Sequence, residues 1–124
     1  MTIKVALAGA GAFGIKHLDG IKNIADVEVI SLISRDQSKT DEVAARYGIA
    51  HTSTKLEDAL AIKEVDAVIL CTPTQMHAGQ TLACLDAGKH VEVEIPMCDV
   101  FADGQKIIER QQATGLVAMC GHTR

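Results

Sequence analysis

The segment that most constrains this chain is Gly9-Ala10-Gly11-Ala12-Phe13-Gly14, set directly behind the apolar run Ile3-Lys4-Val5-Ala6-Leu7-Ala8. A GxGxxG pattern alone is weak, because glycine is common. Between a strand and a helix it is strong: the first glycine permits a tight turn, the second lets the backbone approach a pyrophosphate, and the third lets helix and strand pack closely. A nearly continuous apolar run is what a central parallel strand shows. Residues 12–23 then read as a helix, with Leu18 and Ile21 on the inner face. Its start offers free N–H groups and a positive dipole end to a phosphate. Gly9, Gly11, Ala12, Phe13 and Gly14 are therefore the expected phosphate-binding residues, the bland alternative being a glycine-rich turn with no ligand.

Beyond this turn, β-branched runs alternate with helical patterns, the signature of a parallel sheet covered on both faces. Strands are expected at 27–33, 49–51, 65–71, 90–93 and 116–120. Helices are expected at 38–47, stopped by Gly48, and at 75–87, ending at Gly88. Thr54-Lys55-Leu56-Glu57 fits a capping box opening a short helix to about Ile62. Asp99 can cap a last helix whose Phe101, Gly104, Ile107, Ile108 and Gln111 share a face. The expected fold is α/β, a Rossmann-type doubly wound parallel sheet of strand order 3-2-1-4-5-6 with right-handed crossovers. Residues 1–121 are assigned to a dinucleotide-binding domain. Residues 122–124 are expected to begin the connection to a C-terminal substrate domain absent from this chain, which then reads as a piece of a longer enzyme.

Composition removes other classes. With 12 Lys+Arg against 16 Asp+Glu the chain carries a formal charge of −4, no footprint for nucleic acid or a membrane surface. Phe13, Tyr47 and Phe101 are too few and too scattered for a base-stacking platform. No apolar run reaches the roughly 18 residues of a membrane span, and no signal-peptide pattern opens the chain, so a cytoplasmic location is expected. Cys71, Cys84, Cys98 and Cys120 form no CxxC pair and read as buried thiols. The five histidines lack metal-ligand spacing, so no metal is expected; His17, His51 and His90 read as structural or surface residues. Met76, Met97 and Met119 read as packing.

The cofactor's far end is read about 20 residues past the glycine turn, where an NAD-selective site usually places Asp or Glu on the ribose hydroxyls. This chain has Ser34-Arg35 there. Arg35 can pair with a 2′-phosphate and Ser34 can donate to it, which favours NADP over NAD. Asp36 lies one step into the loop and is expected to cap the following helix. The alternative for Arg35 is an ordinary solvated arginine. Thr72, Pro73 and Thr74 stand at the carboxyl end of a strand, where ligands bind in open α/β sheets.

Three more segments join the glycine turn: Cys71-Thr72-Pro73-Thr74-Gln75-Met76-His77, Ala87-Gly88-Lys89-His90-Val91 and Glu94-Ile95-Pro96. In that order and spacing the chain resembles, over essentially its whole length, the N-terminal domain of the glucose–fructose oxidoreductase / inositol dehydrogenase (Gfo/Idh/MocA) family. The resemblance implies an oxidoreductase whose second, sheet-based domain completes the substrate site and usually a homo-oligomer. It implies that Thr72, Pro73 and Thr74 run along the ribose and nicotinamide side and that Glu94 reaches the nicotinamide ribose, against the alternative of a solvated carboxylate at a strand end. His77 either contacts the cofactor or caps the turn. Ile95–Pro96 is a candidate cis peptide.

One departure matters. The family usually reads Glu-Lys-Pro, with the lysine near the nicotinamide and the reacting hydroxyl, and Ile95 has neither charge nor proton to offer. Together with Ser34-Arg35 and Gly121-His122-Thr123-Arg124, this variant is similar to a branch of the family that oxidises the cyclic hemiacetal of a dicarboxylate semialdehyde with NADP. A hemiacetal hydroxyl is more acidic than a sugar alcohol, so less help is needed to remove its proton, and more of the work falls on anchoring carboxylates. Arg124 is a candidate to grip a substrate carboxylate and His122 to donate to it or shuttle a proton, the alternative being a segment that packs against the missing domain. No catalytic base is assigned, and the fragment alone is expected to show no turnover. Two other readings stay open: a sugar or polyol dehydrogenase, which is expected to keep lysine at position 95, and a non-catalytic module that senses dinucleotide.

Overall fold

A computed structural model describes residues 1–121, in which six strands and five helices alternate. They are β1 (Ile3–Ala8), α1 (Ala12–Ile21), β2 (Val27–Ile33), α2 (Gln37–Tyr47), β3 (His51–Ser53), α3 (Leu56–Leu60), β4 (Ala67–Leu70), α4 (Thr74–Asp86), β5 (His90–Glu94), α5 (Phe101–Thr114) and β6 (Ala118–Gly121). All five strand pairings are parallel and the order is β3-β2-β1-β4-β5-β6, the doubly wound topology expected from the alternation.

The apolar run of β1 is explained by its central place. Leu7 pairs with Leu32 of β2 on one side and Ile69 of β4 on the other. Its side chain enters a cluster with Leu18 of α1 and Val43 and Ala44 of α2. Ala6 and Ala8 enter the opposite cluster, with Leu56 of α3, Leu85 of α4, Val68, Leu70, Val91 and Val93. Both faces of β1 are dry, and each fully buried Leu or Val contributes about 1.5–3 kcal/mol. The chain winds outward from β1 through β2 to β3 and then returns to β4 on the other side of β1, which opens a crevice at the carboxyl ends of these strands.

Several helix ends follow the expected chemistry. The Asp36 side chain accepts from Lys39 N at 3.1 Å at the start of α2, and Gly48 closes that helix in the left-handed region (φ 69°). Lys89, 7% exposed, donates from Nζ to the carbonyls of Ile62 (2.9 Å) and Val65 (2.7 Å), tying the approach to β4 against the start of β5.

Others differ. The Thr54/Glu57 capping box does not form; Lys55 is the N-cap of α3 without a side-chain bond. Ser53, held at the end of β3, instead accepts from Lys55 N (3.0 Å) and donates to Asp58 (2.5 Å). α3 stops at Leu60, short of Ile62. Asp99 does not cap α5, whose N-cap is Val100. On α5 only Ile107 is buried, while Phe101 and Ile108 are 82% and 57% exposed. At about 100° per residue, those two lie roughly 120° and 100° around the helix from Ile107. α1 ends at Ile21, two residues early, and β3 starts at His51, because Ile49 is buried in the core before the ladder begins. Of the cysteines only Cys84 is fully buried, and all four are free thiols. Met97 packs on the core, but Met76 (41%) and Met119 (53%) are exposed. Among the described residues no helix is long and apolar enough to cross a membrane.

Candidate functional site

The glycine turn joins β1 to α1 with three distinct demands. Gly9 has φ 114°, donates to the Ile33 carbonyl at 2.7 Å, and lies so near the Cys71 carbonyl that a Cβ would overlap it. A Cβ on Gly14, buried in the first turn of α1, would overlap the Gly9 carbonyl oxygen. Gly11 is the opposite case. It is the N-cap of α1, makes no side-chain capping bond, has no acid in the turn that follows, and a Cβ there would meet nothing within 4 Å. The first amides of a helix need acceptors, and the space open beside Gly11 stands at the positive dipole end of α1. A pyrophosphate fits that space, and a side chain at residue 11 would fill it. Ala12 and Phe13 are exposed on the first turn, with Lys16 Nζ 5.2 Å from the Phe13 ring centre.

Above the turn lies a cavity of about 670 Å³, bounded by the carboxyl ends of β1, β2 and β4, within the range of about 300–1,000 Å³ usual for small-molecule sites. Gly9, Gly11, Ser34, Arg35, Thr72 and Pro73 line it, so the fold brings the glycine turn, the end of β2 and the turn after β4 to one space. Lys39 and Lys55 line the same cavity as Arg35. Sequence reasoning missed both; the signal for Lys39 was its place one helical turn past Arg35.

The turn after β4 is held from behind. Thr72 Oγ1 donates to Gln80 at 2.5 Å, Pro73 is the N-cap of α4, and Thr74 begins that helix. The Ile95–Pro96 bond is cis, as expected. His77 is 2% exposed, with Nδ1 2.7 Å from the Pro96 carbonyl and Nε2 2.7 Å from the Thr72 carbonyl. Both carbonyls accept, so each contact calls for a hydrogen on that nitrogen, and the ring links the turn after β4 to the turn after β5.

Glu94, 8% exposed at the end of β5, has Oε1 2.6 Å from His17 Nε2. His17, on the second turn of α1, carried no signal in the chain, because its partner is 77 positions away. Cys71 completes a group whose ligand-type atoms lie within 4.8 Å of one another, a convergence that spacing along the chain does not reveal. Burial, then the charges of Glu94 and Glu92, push the Cys71 thiol up to about 12. Glu92, on the same face of β5, has a buried Oε2 with no hydrogen bond among the described residues, and burial raises its carboxyl above the usual range. His122 and Arg124 lie outside the described residues.

A phosphate-ready glycine turn at the switch point of a doubly wound sheet defines a Rossmann-type dinucleotide-binding domain. Residues 3–122 match the family described as oxidoreductase family, NAD-binding Rossmann fold, and the chain belongs to this Gfo/Idh/MocA family. It is similar to 4-carboxy-2-hydroxymuconate-6-semialdehyde dehydrogenase of Sphingobium sp. (strain NBRC 103272 / SYK-6), 61% identical over 122 residues, which are 98% of this chain and 39% of that protein. It is 33% identical over 114 residues to inositol 2-dehydrogenase of Rhodococcus erythropolis (strain PR4 / NBRC 100887), covering 91% of this chain and 33% of that protein. The crystal structure of GenD2 from gentamicin A biosynthesis, in complex with NAD, superposes with a TM-score of 0.92 at 26% identity, over 97% of this chain and 34% of that one. The chain thus spans 39% and 33% of the lengths of these two curated relatives.

Proposed function

We propose that this chain is the cofactor-binding part of an NADP-dependent dehydrogenase acting on the cyclic hemiacetal of 4-carboxy-2-hydroxymuconate-6-semialdehyde. The product is 2-pyrone-4,6-dicarboxylate, in the catabolism of aromatic compounds through protocatechuate 4,5-cleavage. The substrate assignment is supported by 61% identity across 98% of the chain to an enzyme of that name. It is also supported by Ile95 in place of the lysine usual in the family, which disfavours a polyol substrate. In this reading the pyrophosphate lies on Gly9, Gly11, Ala12, Phe13 and Gly14, and the adenosine ribose on Ser34 and Arg35. The nicotinamide nucleoside runs past Thr72, Pro73 and Thr74 to Glu94, with His77 holding the turn. When bound, the cofactor supplies the hydride acceptor; the chain binds it, orients it and excludes water around it. His122 and Arg124 would meet the substrate carboxylates alongside a further domain.

The observation that carries the cofactor choice is the set of three cations, Arg35, Lys39 and Lys55, that line the cavity, against the two acids Asp36 and Glu57. Their side-chain nitrogens have no hydrogen-bond or ion-pair partner among the described residues, whereas the nearby Asp36 carboxylate is engaged at the start of α2. A 2′-phosphate fits three cations, and ribose hydroxyls alone do not call for them. Calorimetric titration of the chain with NADP and NAD at one ionic strength tests this. NADP is expected to bind about 10- to 100-fold tighter, with Arg35→Ala removing most of the difference. Equal or tighter binding of NAD overturns the choice of NADP.

A further inference from the structure

The feature that the cofactor reading leaves unexplained is the pair His17–Glu94. In the sheet, β4 stands between β1, which feeds α1, and β5, which ends at Glu94. The 2.6 Å contact is therefore a tertiary tie across the switch point. A carboxylate only accepts, so the hydrogen in this bond sits on Nε2. The two side chains are 19% and 10% exposed, and a carboxylate so far from water is costly unless it is paired.

The origin of the partner gives the pair its meaning. His17 stands three residues after Gly14, whose close approach to the Gly9 carbonyl sets α1 against the glycine turn. The imidazole is thus referenced to the phosphate-binding backbone through less than one helical turn. A dinucleotide lying across a switch point, with its pyrophosphate on that turn and one nucleoside over β2, directs the other nucleoside over the carboxyl ends of β4 and β5. Glu94 ends β5 on that side.

Resting on the cofactor reading above, we propose that His17 is a positioning residue of this site. It holds the Glu94 carboxylate at a set place relative to the glycine turn, so that a dinucleotide anchored by its pyrophosphate meets a ready acceptor for the hydroxyls of its second ribose. The gain is preorganisation: the imidazole does part of the ordering of the carboxylate before the ligand arrives.

The test pairs each dinucleotide with the fragment that stops before the second nucleoside: NADP with 2′-phosphoadenosine 5′-diphosphate, and NAD with ADP, titrated calorimetrically into the chain. His17→Ala is expected to weaken the preferred dinucleotide about 10-fold and to leave its fragment within about 2-fold. His17→Gln, whose amide can donate to Glu94, is expected to recover most of the loss. In a Glu94→Ala background, His17→Ala is expected to cost nothing further. Equal weakening of dinucleotide and fragment, or weakening of neither, overturns the positioning role and leaves the cofactor reading standing. A parent chain that binds neither dinucleotide overturns both.

Discussion

Two glycines three residues apart, Gly11 and Gly14, are under opposite constraints, and substitution separates them. Gly14→Ala drives a methyl into the Gly9 carbonyl, backbone against backbone, with nothing flexible to yield. We expect a loss of about 1–3 kcal/mol in urea unfolding, the range for overpacking. Gly11→Ala meets open space, so its stability is expected within about 0.5 kcal/mol of the parent, yet the methyl occupies the pyrophosphate's place and nucleotide binding should vanish in calorimetry. If Gly11→Ala binds as the parent does, the phosphates lie elsewhere. The thiols give a second residue-scale prediction. Burial pushes Cys84 up to about 12, and burial with nearby carboxylates does the same to Cys71. The nucleophile in alkylation is the thiolate. Iodoacetamide at mildly alkaline pH should therefore leave both unlabelled in the folded protein and label them after unfolding, as mass spectrometry of peptides would report.

At the level of elements, the joints matter more than the elements themselves. Lys89 reads in the chain as a charged residue before a strand, but its ammonium holds the carbonyls of Ile62 and Val65 inside the protein. Lys89→Met keeps the stem and removes the donor, so two carbonyls lose their partner; a cost of about 1–3 kcal/mol in urea unfolding is expected. A stability equal to that of the parent would mean that water replaces the ammonium. The capping errors have a common cause. Thr54 and Asp99 carry the right chemistry at the right offset, yet the N-caps of α3 and α5 are the residues after them. Side chains cap only from the extended residue at the helix start, and where the chain enters the helix is set by the preceding strand or turn. For α3 that strand supplies its own hydroxyl, from Ser53. For α5, Ile107 alone of its large apolar residues is buried, because α4 packs on only one side of it.

The sheet as a whole places Glu92 and Glu94 on one face of β5, near His17, with Gly121 of β6 leaving room for the Glu92 carboxyl. Burial raises Glu92 most, Glu94 adds to it, and His17 works against both. A carboxyl raised in the folded state holds its proton more tightly there than in the unfolded chain. It therefore favours the fold at low pH, and that advantage is lost as pH rises from the ordinary glutamate range through the raised value. Glu92→Gln is neutral throughout, so its Tm relative to the parent is expected to climb between about pH 4 and about pH 7. A difference that stays flat over that interval would show that Glu92 is as well solvated folded as unfolded.

The chain by itself determined the alternation of elements, the strand order, the glycine turn, the Asp36 cap and the Gly48 stop, because each depends on local chemistry or on the period of apolar residues. Ser34, Arg35, Thr72 and Pro73 were legible for the same reason: they follow strands, and the carboxyl ends of parallel strands converge. The tertiary structure alone decided that His17 meets Glu94, that His77 joins two turns, that Lys89 is an inward ammonium, and that Lys39 and Lys55 share a cavity with Arg35. Those pairings depend on the angle and depth at which helices settle on the sheet. Packing of the two cores sets that angle and depth, and no spacing along the chain encodes either.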